Sequence, residues 1–261
     1  MNNIFDSHAH YNDELFDEDR EQVLSSLGEG GVRAVINAAC DMSSARTGLA
    51  YTREYNYFFC AVGIHPQSAD EYTTADLNEL AALCEHQKVV AIGEIGLDYH
   101  YETPDRDTQK AAFAAQLSLA RQTSMPVILH NREATADMMP YLKKYRPKGV
   151  MHCFSGSADT AKELLAMGMY LGYTGVVTFS NAKRVLEAVA ATPLDRLLLE
   201  TDCPYMAPTP LRGKRSDSRM IAITAAKIAE IKGIETQELI NKATENTCRL
   251  FGINLDEHTI A

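Results

Sequence analysis

Short apolar runs recur eight times along this chain, at residues 4–5, 32–39, 57–63, 89–92, 126–129, 149–151, 169–172 and 197–199. Longer amphipathic stretches separate them. The brevity of the runs and their β-branched and aromatic content suit strands buried on both faces. In the intervals, Phe113, Leu117 and Ala120 fall at i, i+4 and i+7, one face of a helix. Ser157 reads as an N-cap, and Gly168 as the glycine that stops the helix it opens. Asp76 with Glu79 three residues on resembles a capping box. Ile221, Ala225, Ile228 and Ile231 mark a late helix, and Leu239, Ala243 and Leu250 another. Such alternation implies an α/β fold with a parallel sheet, and eight units imply a closed (β/α)8 TIM barrel with an extra C-terminal helix. The seventh strand carries the weakest signal, because Gly168, Gly172 and Gly175 dilute it. The length, 261 residues, fits a single barrel domain over 1–261.

Charge narrows the function. Lys and Arg number 25 against 35 Asp and Glu, a net charge of −10. That argues against a protein that coats duplex DNA, since such binding rests on neutralising phosphates with basic side chains. It leaves room for a nucleic-acid enzyme with a local basic patch. The N-terminus has neither a basic segment nor an apolar core, so no signal peptide is expected. No run approaches the ~20 apolar residues of a membrane span. The six cysteines form no CxxC pair, which suits reduced thiols and a cytoplasmic location. No obligate protein partner is expected, and the chain reads as a monomer.

The positions of the polar residues carry most of the information. Asp6-Ser7-His8-Ala9-His10 follows the first apolar run, and His65 the third. Glu94 and Asp98 follow the fourth, His130-Asn131-Arg132 the fifth, His152 the sixth, and Glu200-Thr201-Asp202 the eighth. In barrels of this class the C-terminal ends of the strands hold the active site. His8 and His10 lie two apart, on one side of an extended strand, so both can reach one metal ion. Four histidines (His8, His10, His130, His152) and two carboxylates (Glu94, Asp202) exceed one tetrahedral site and suffice for two ions. Glu94 is the natural bridge, with His8, His10 and Asp202 completing one site and His130 and His152 the other. Two ions about 3.5–4 Å apart can hold a hydroxide and stabilise both oxygens of an in-line displacement. The donor set admits Zn²⁺, Mg²⁺ or Mn²⁺. Asp202, next to the attacking water, is the candidate general base, and Glu94 and Asp202 are the candidate catalytic carboxylates. Asp202 precedes Cys203-Pro204, so its backbone is expected to be extended. His86, His100 and His258 read as surface or supporting residues.

These blocks, in this order, resemble the TatD family of metal-dependent deoxyribonucleases, within the amidohydrolase-like barrels. The resemblance runs through Ser7-His8-Ala9-His10, Gly63-Ile64-His65-Pro66, Gly93-Glu94-Ile95-Gly96-Leu97-Asp98, Leu129-His130-Asn131-Arg132, His152-Cys153-Phe154-Ser155-Gly156 and Glu200-Thr201-Asp202-Cys203-Pro204-Tyr205, and reaches Asn246-Thr247-Cys248-Arg249-Leu250-Phe251-Gly252. It implies a two-metal centre and phosphodiester hydrolysis, with 3′→5′ exonuclease action on a transiently bound DNA. One stretch departs: where the family reads Arg-Gly-Lys-x-Asn-x-Pro, this chain has Arg212-Gly213-Lys214-Arg215-Ser216-Asp217-Ser218. The basic residues Arg212, Lys214, Arg215 and Arg219 are candidate phosphate contacts. His65 and Arg132 join them, since both follow strands without being needed as ligands. Tyr99 and Tyr101 can stack on a base or serve packing. Cys153 and Cys203 read as packing residues.

Two other readings share these residues. The first is an amidohydrolase acting on a small-molecule amide, lactone or ester. Many such enzymes bridge their metals with a carboxylated lysine after the fourth strand, where this chain has Glu94. The second is a non-catalytic, metal-stabilised interaction protein, which has no need of so complete a ligand set.

Overall fold

A computed structural model describes residues 1–257, so His258 lies outside the described residues. Eight parallel strands alternate with helices: β1 (Ile4–Ala9), β2 (Val32–Ala38), β3 (Phe58–Val62), β4 (Val89–Asp98), β5 (Val127–Arg132), β6 (Gly149–Met151), β7 (Tyr170–Tyr173) and β8 (Leu197–Leu199). The helices between and after them are α1 (Arg20–Ser26), α2 (Met42–Glu54), α3 (Thr74–Leu83), α4 (Arg106–Thr123), α5 (Thr135–Tyr145), α6 (Ala158–Ala166), α7 (Lys183–Ala191), α8 (Ile221–Lys232) and α9 (Thr236–Phe251). The strands pair in the order β1 to β8, the topology of a (β/α)8 TIM barrel, and α9 is the extra C-terminal helix. Contacts group the chain into two compact units. One comprises Met1–Asn37, Tyr55–Phe58 and the chain from Cys153 on; the other comprises Ala38–Glu54 and Phe59–His152.

In the first unit, the end of β1 is tied to the segment after β8. His10 donates its N–H to the Cys203 carbonyl at 2.8 Å, and Asp202 donates to the His8 carbonyl at 3.0 Å. At the other end of β8, the buried Asn246 of α9 donates to the carbonyls of Leu194 and Leu197 at 2.7 and 2.9 Å. The extra helix thus braces the start of β8 and leaves its C-terminal end for the site. Helix α6 opens at Ser157, whose hydroxyl accepts from the Thr160 N–H at 3.1 Å, and stops at Gly168 with φ +86°.

In the second unit, β4 is buried along its whole length. It packs against α4, whose buried face includes Phe113, Leu117 and Ala120. Two buried glutamines on that helix do more than pack. Gln116 grips Ile64, accepting from its N–H at 2.7 Å and donating to its carbonyl at 3.0 Å. Gln109 grips Asp98 in the same way, at 2.9 and 2.8 Å. Helix α4 therefore fixes the segments that present His65 and Asp98.

Two local details correct the sequence reading. The capping box of α3 is formed by Thr73 and Asp76, one turn earlier than Asp76 and Glu79. Glu79 instead takes both arms of Arg46, at 2.7 and 2.6 Å, because a helix-surface carboxylate pairs readily with a nearby guanidinium fork. The strands also run further than their apolar runs. β1 reaches Ala9, β4 reaches Asp98 and β5 reaches Arg132, since backbone pairing sets a strand end and the last residues turn polar side chains to the site.

Candidate metal centre

The first unit holds one cluster. His8 is fully buried on β1, and its Nε2 lies 3.0 Å from Nε2 of His10. The Asp202 Oδ1 lies 3.3 Å from His10 Nε2 and 3.6 Å from His8 Nε2. Asp202 is not extended as expected; its φ is +59°, the left-handed region. The restriction imposed by Pro204 falls on Cys203, and the turn that brings the Asp202 carboxylate back to β1 is closed by a Tyr205 N–H donated to the Asp202 carbonyl at 2.9 Å. Asp is among the residues that tolerate this conformation.

A buried carboxylate supports this cluster from behind. Asp6 accepts from the Thr201 N–H at 3.0 Å, from the Thr201 and Ser218 hydroxyls, and from the His8 N–H at 3.3 Å. Burial pushes its pKa up to about 7 despite those donors. Ser218, which stands where the family has proline, thus serves the site: it also donates its N–H to the Tyr11 hydroxyl at 3.0 Å. Glu200 is buried too, and accepts from the Cys153 N–H and the Ser7 hydroxyl. Only the absence of a side chain at Gly172 leaves room for the Glu200 carboxylate.

The second unit holds another cluster. Oε1 of Glu94 lies 2.6 Å from His130 Nδ1 and 2.6 Å from His152 Nε2, and those two nitrogens are 3.3 Å apart. The other His130 nitrogen, Nε2, faces Asp98 Oδ2 at 3.1 Å. An ionised carboxylate only accepts, so both His130 nitrogens face acceptors, and the 2.6 Å Nδ1–Glu94 contact holds only with a proton or a cation between the two atoms. Burial opposes a charge on the His130 ring, but the Glu94 charge and the Asp98 and Glu94 hydrogen bonds outweigh it, and the pKa is raised. Burial likewise pushes the Asp98 carboxyl up, while the His130 and His100 N–H donors and the Arg132 charge pull it further down, so it sits below its usual range. The donors of both clusters fit divalent cations: imidazole nitrogen and carboxylate oxygen, buried and convergent.

His65 stands beside the second cluster. Its Nδ1 accepts from the Gln67 N–H at 3.2 Å, which leaves the proton on Nε2. That nitrogen is 3.9 Å from Glu94 Oε1, and the ring meets the His130 ring edge-on at 4.4 Å. Gly96, at φ +157°, carries no Cβ that would strike the His130 carbonyl, so β4 and β5 approach closely there.

The residues expected to hold phosphate divide. Arg132 is exposed, 5.5 Å from the Tyr101 ring, and Lys214 is exposed. Arg212 is exposed and lies over Phe179 at 4.3 Å. Arg215 does not stand open to solvent: it forks onto both Asp19 oxygens at 2.7 and 2.6 Å and lies over Phe16. A guanidinium matches a carboxylate as well as a phosphate, and Asp19 is nearer. Arg219 is similarly paired with Asp217. Tyr99 donates its hydroxyl to Asp137, while Tyr101 is half-exposed. His100 pairs with Glu133 on the surface. The six cysteines, all among the described residues, form no disulfide.

Sequence reasoning assigned no role to Asp98, Gln109, Gln116 or Glu200. For Asp98 a signal existed: Glu94, Gly96 and Asp98 share one face of β4 by period two. A carboxylate that orients a ligating histidine typically contributes 10–100-fold to metal affinity. Asp98→Ala is therefore expected to weaken metal binding by about that factor, read by titrating the metal-free protein against a chromophoric chelator. Unchanged affinity would remove Asp98 from the ligand-orienting role.

Comparison with known proteins bears on the family of the whole chain. A family model described as "TatD related DNase" matches residues 5–252. The chain is similar to the uncharacterized metal-dependent hydrolase YabD of Bacillus subtilis, at 42% identity over 254 residues, covering 96% of this chain and 100% of that protein. It is 32% identical to the 3′-5′ ssDNA/RNA exonuclease TatD of Klebsiella pneumoniae, covering 97% and 99% of the two chains. Among solved structures, the TatD homolog YjjV of Escherichia coli superposes with a TM-score of 0.91 at 30% identity, covering 97% of this chain and 99% of that one.

Proposed function

Because this chain belongs to the TatD-related DNase family of metal-dependent hydrolases, we propose that it is a 3′→5′ exonuclease that removes nucleotides from DNA strands. The observation that carries this reading is the pair of buried three-ligand clusters at strand ends. His8, His10 and Asp202 would hold one divalent cation, and Glu94, His130 and His152 another. Divalent cations held by these residues would supply Lewis acidity toward water and phosphate.

The side chains supply the rest. Asp202 accepts the proton of the attacking water through its carboxylate, and its left-handed backbone aims that carboxylate at His8 and His10. Asp98 orients the His130 ring on the cluster. His65 presents a fixed N–H, and Arg132, Arg212 and Lys214 offer exposed cations for phosphate oxygens; Arg215 serves Asp19 instead. With a net charge of −10 the chain gives long duplex little electrostatic reward, which suits brief engagement of a strand end and release of product.

The test uses purified protein with Mg²⁺, Mn²⁺ or Zn²⁺ and single-stranded oligonucleotides labelled at either end. Mononucleotides should appear, with the 3′ label released first. Activity in fully demetallated protein, or no mononucleotide with any of these ions, overturns the reading.

A further inference from the structure

Tyr205 is 49% exposed, yet it is held at both ends. Its backbone N–H donates to the Asp202 carbonyl at 2.9 Å, and its hydroxyl donates to Asp13 Oδ2 at 2.8 Å. Asp13 is held in turn: its Oδ1 accepts from the Leu15 N–H at 2.9 Å, and its own N–H donates to the His10 carbonyl at 3.0 Å. The segment after His10 and the segment after Asp202 are thus joined by one phenol beside the ligands they carry.

Exposed apolar side chains stand on both segments, beside the acidic Glu14 and Asp17. The large exposed hydrophobic residues among the described ones are Met1, Leu15, Tyr101, Tyr205 and Met206, and three of these five sit on the two joined segments. The hydroxyl is already spent on Asp13, so the ring has its face left to offer, and a face is what any nucleobase stacks on without regard to sequence.

We propose that Tyr205 is a substrate-binding residue that stacks a nucleobase of the strand end, and that Asp13 is the positioning residue that locks its ring. This rests on the nuclease reading above. The metal-loaded protein is compared on a single-stranded oligonucleotide and on the same strand made abasic over its last nucleotides. Wild type should show a KM about tenfold or more higher on the abasic strand. Tyr205→Ala should raise KM on the normal strand by about the same factor, leave kcat within about twofold, and leave the abasic KM unchanged. Tyr205→Phe keeps the ring and should stay within about threefold of wild type, with Asp13→Asn between the two alanine and phenylalanine results. Equal wild-type KM on both strands, or equal damage by Tyr205→Ala on both, overturns the stacking role. Tyr205→Phe as harmful as Tyr205→Ala also overturns it, by assigning the effect to the hydroxyl. If wild type cleaves neither strand, it is the nuclease reading that has failed.

Discussion

Glu94→Ala is expected to abolish hydrolysis and to release at least one metal ion per chain. Glu94 is 2% exposed, and its Oε1 lies 2.6 Å from both His130 Nδ1 and His152 Nε2. With a cation in that cluster, its carboxylate is the negative charge that meets both imidazoles, while Asp98 meets the far nitrogen of His130. Removing one member of a buried charge pair typically costs 3–5 kcal/mol. At 1.4 kcal/mol per decade, that is a loss of roughly a hundredfold to more than a thousandfold in cation affinity. Glu94→Gln separates charge from packing, because it keeps the shape and one carbonyl oxygen. It should lose metal nearly as fully as the alanine variant. Elemental analysis of dialysed protein, beside a degradation assay, reads both effects. A variant that keeps its full metal content and its activity would show that this cluster is not a metal site.

Asp202→Asn is expected to lower kcat by about 10²–10⁴-fold while metal content falls far less. The substitution suits this position. Asn, like Asp, visits the left-handed region readily, so the φ of +59° is kept without strain. Its carbonyl oxygen can still face His8 and His10. What it loses is the basicity that takes a proton from water. Thermal stability should therefore match wild type, KM should move little, and kcat should carry the loss. Equal loss of kcat and metal would leave Asp202 as a ligand only; unchanged kcat would remove it from the chemistry altogether.

Much of this site was legible because period-two and strand-end patterns are local. His8 and His10, i and i+2, straddle the end of β1, His130 lies near the end of β5 and Asp202 just past β8, while Glu94 follows its apolar run inside the longer β4. The helix patterns around Phe113 and Leu239 were likewise readable from spacing. What escaped depends on partners far apart in the chain. Arg215 looked like a phosphate contact until Asp19, 196 residues away, took its fork. Gln109 and Gln116 carry no sequence signal of a special role, yet their amides hold Asp98 and Ile64. Ser218 looked like a loss at a loop, and its hydroxyl proved to hold Asp6.

The sequence alone determined the fold class and the identities of the candidate ligands. Both follow from rules that act within a few residues: the alternation of strand and helix periods, and the chemistry of histidine and carboxylate at strand ends. The tertiary structure decided the state of each group. It set that both nitrogens of His130 face carboxylates, that Asp202 turns left-handed, and which arginines are spent on internal carboxylates. Those outcomes depend on distance and burial, since a hydrogen bond or ion pair depends on a partner within about 3 Å, and chain spacing does not encode that approach.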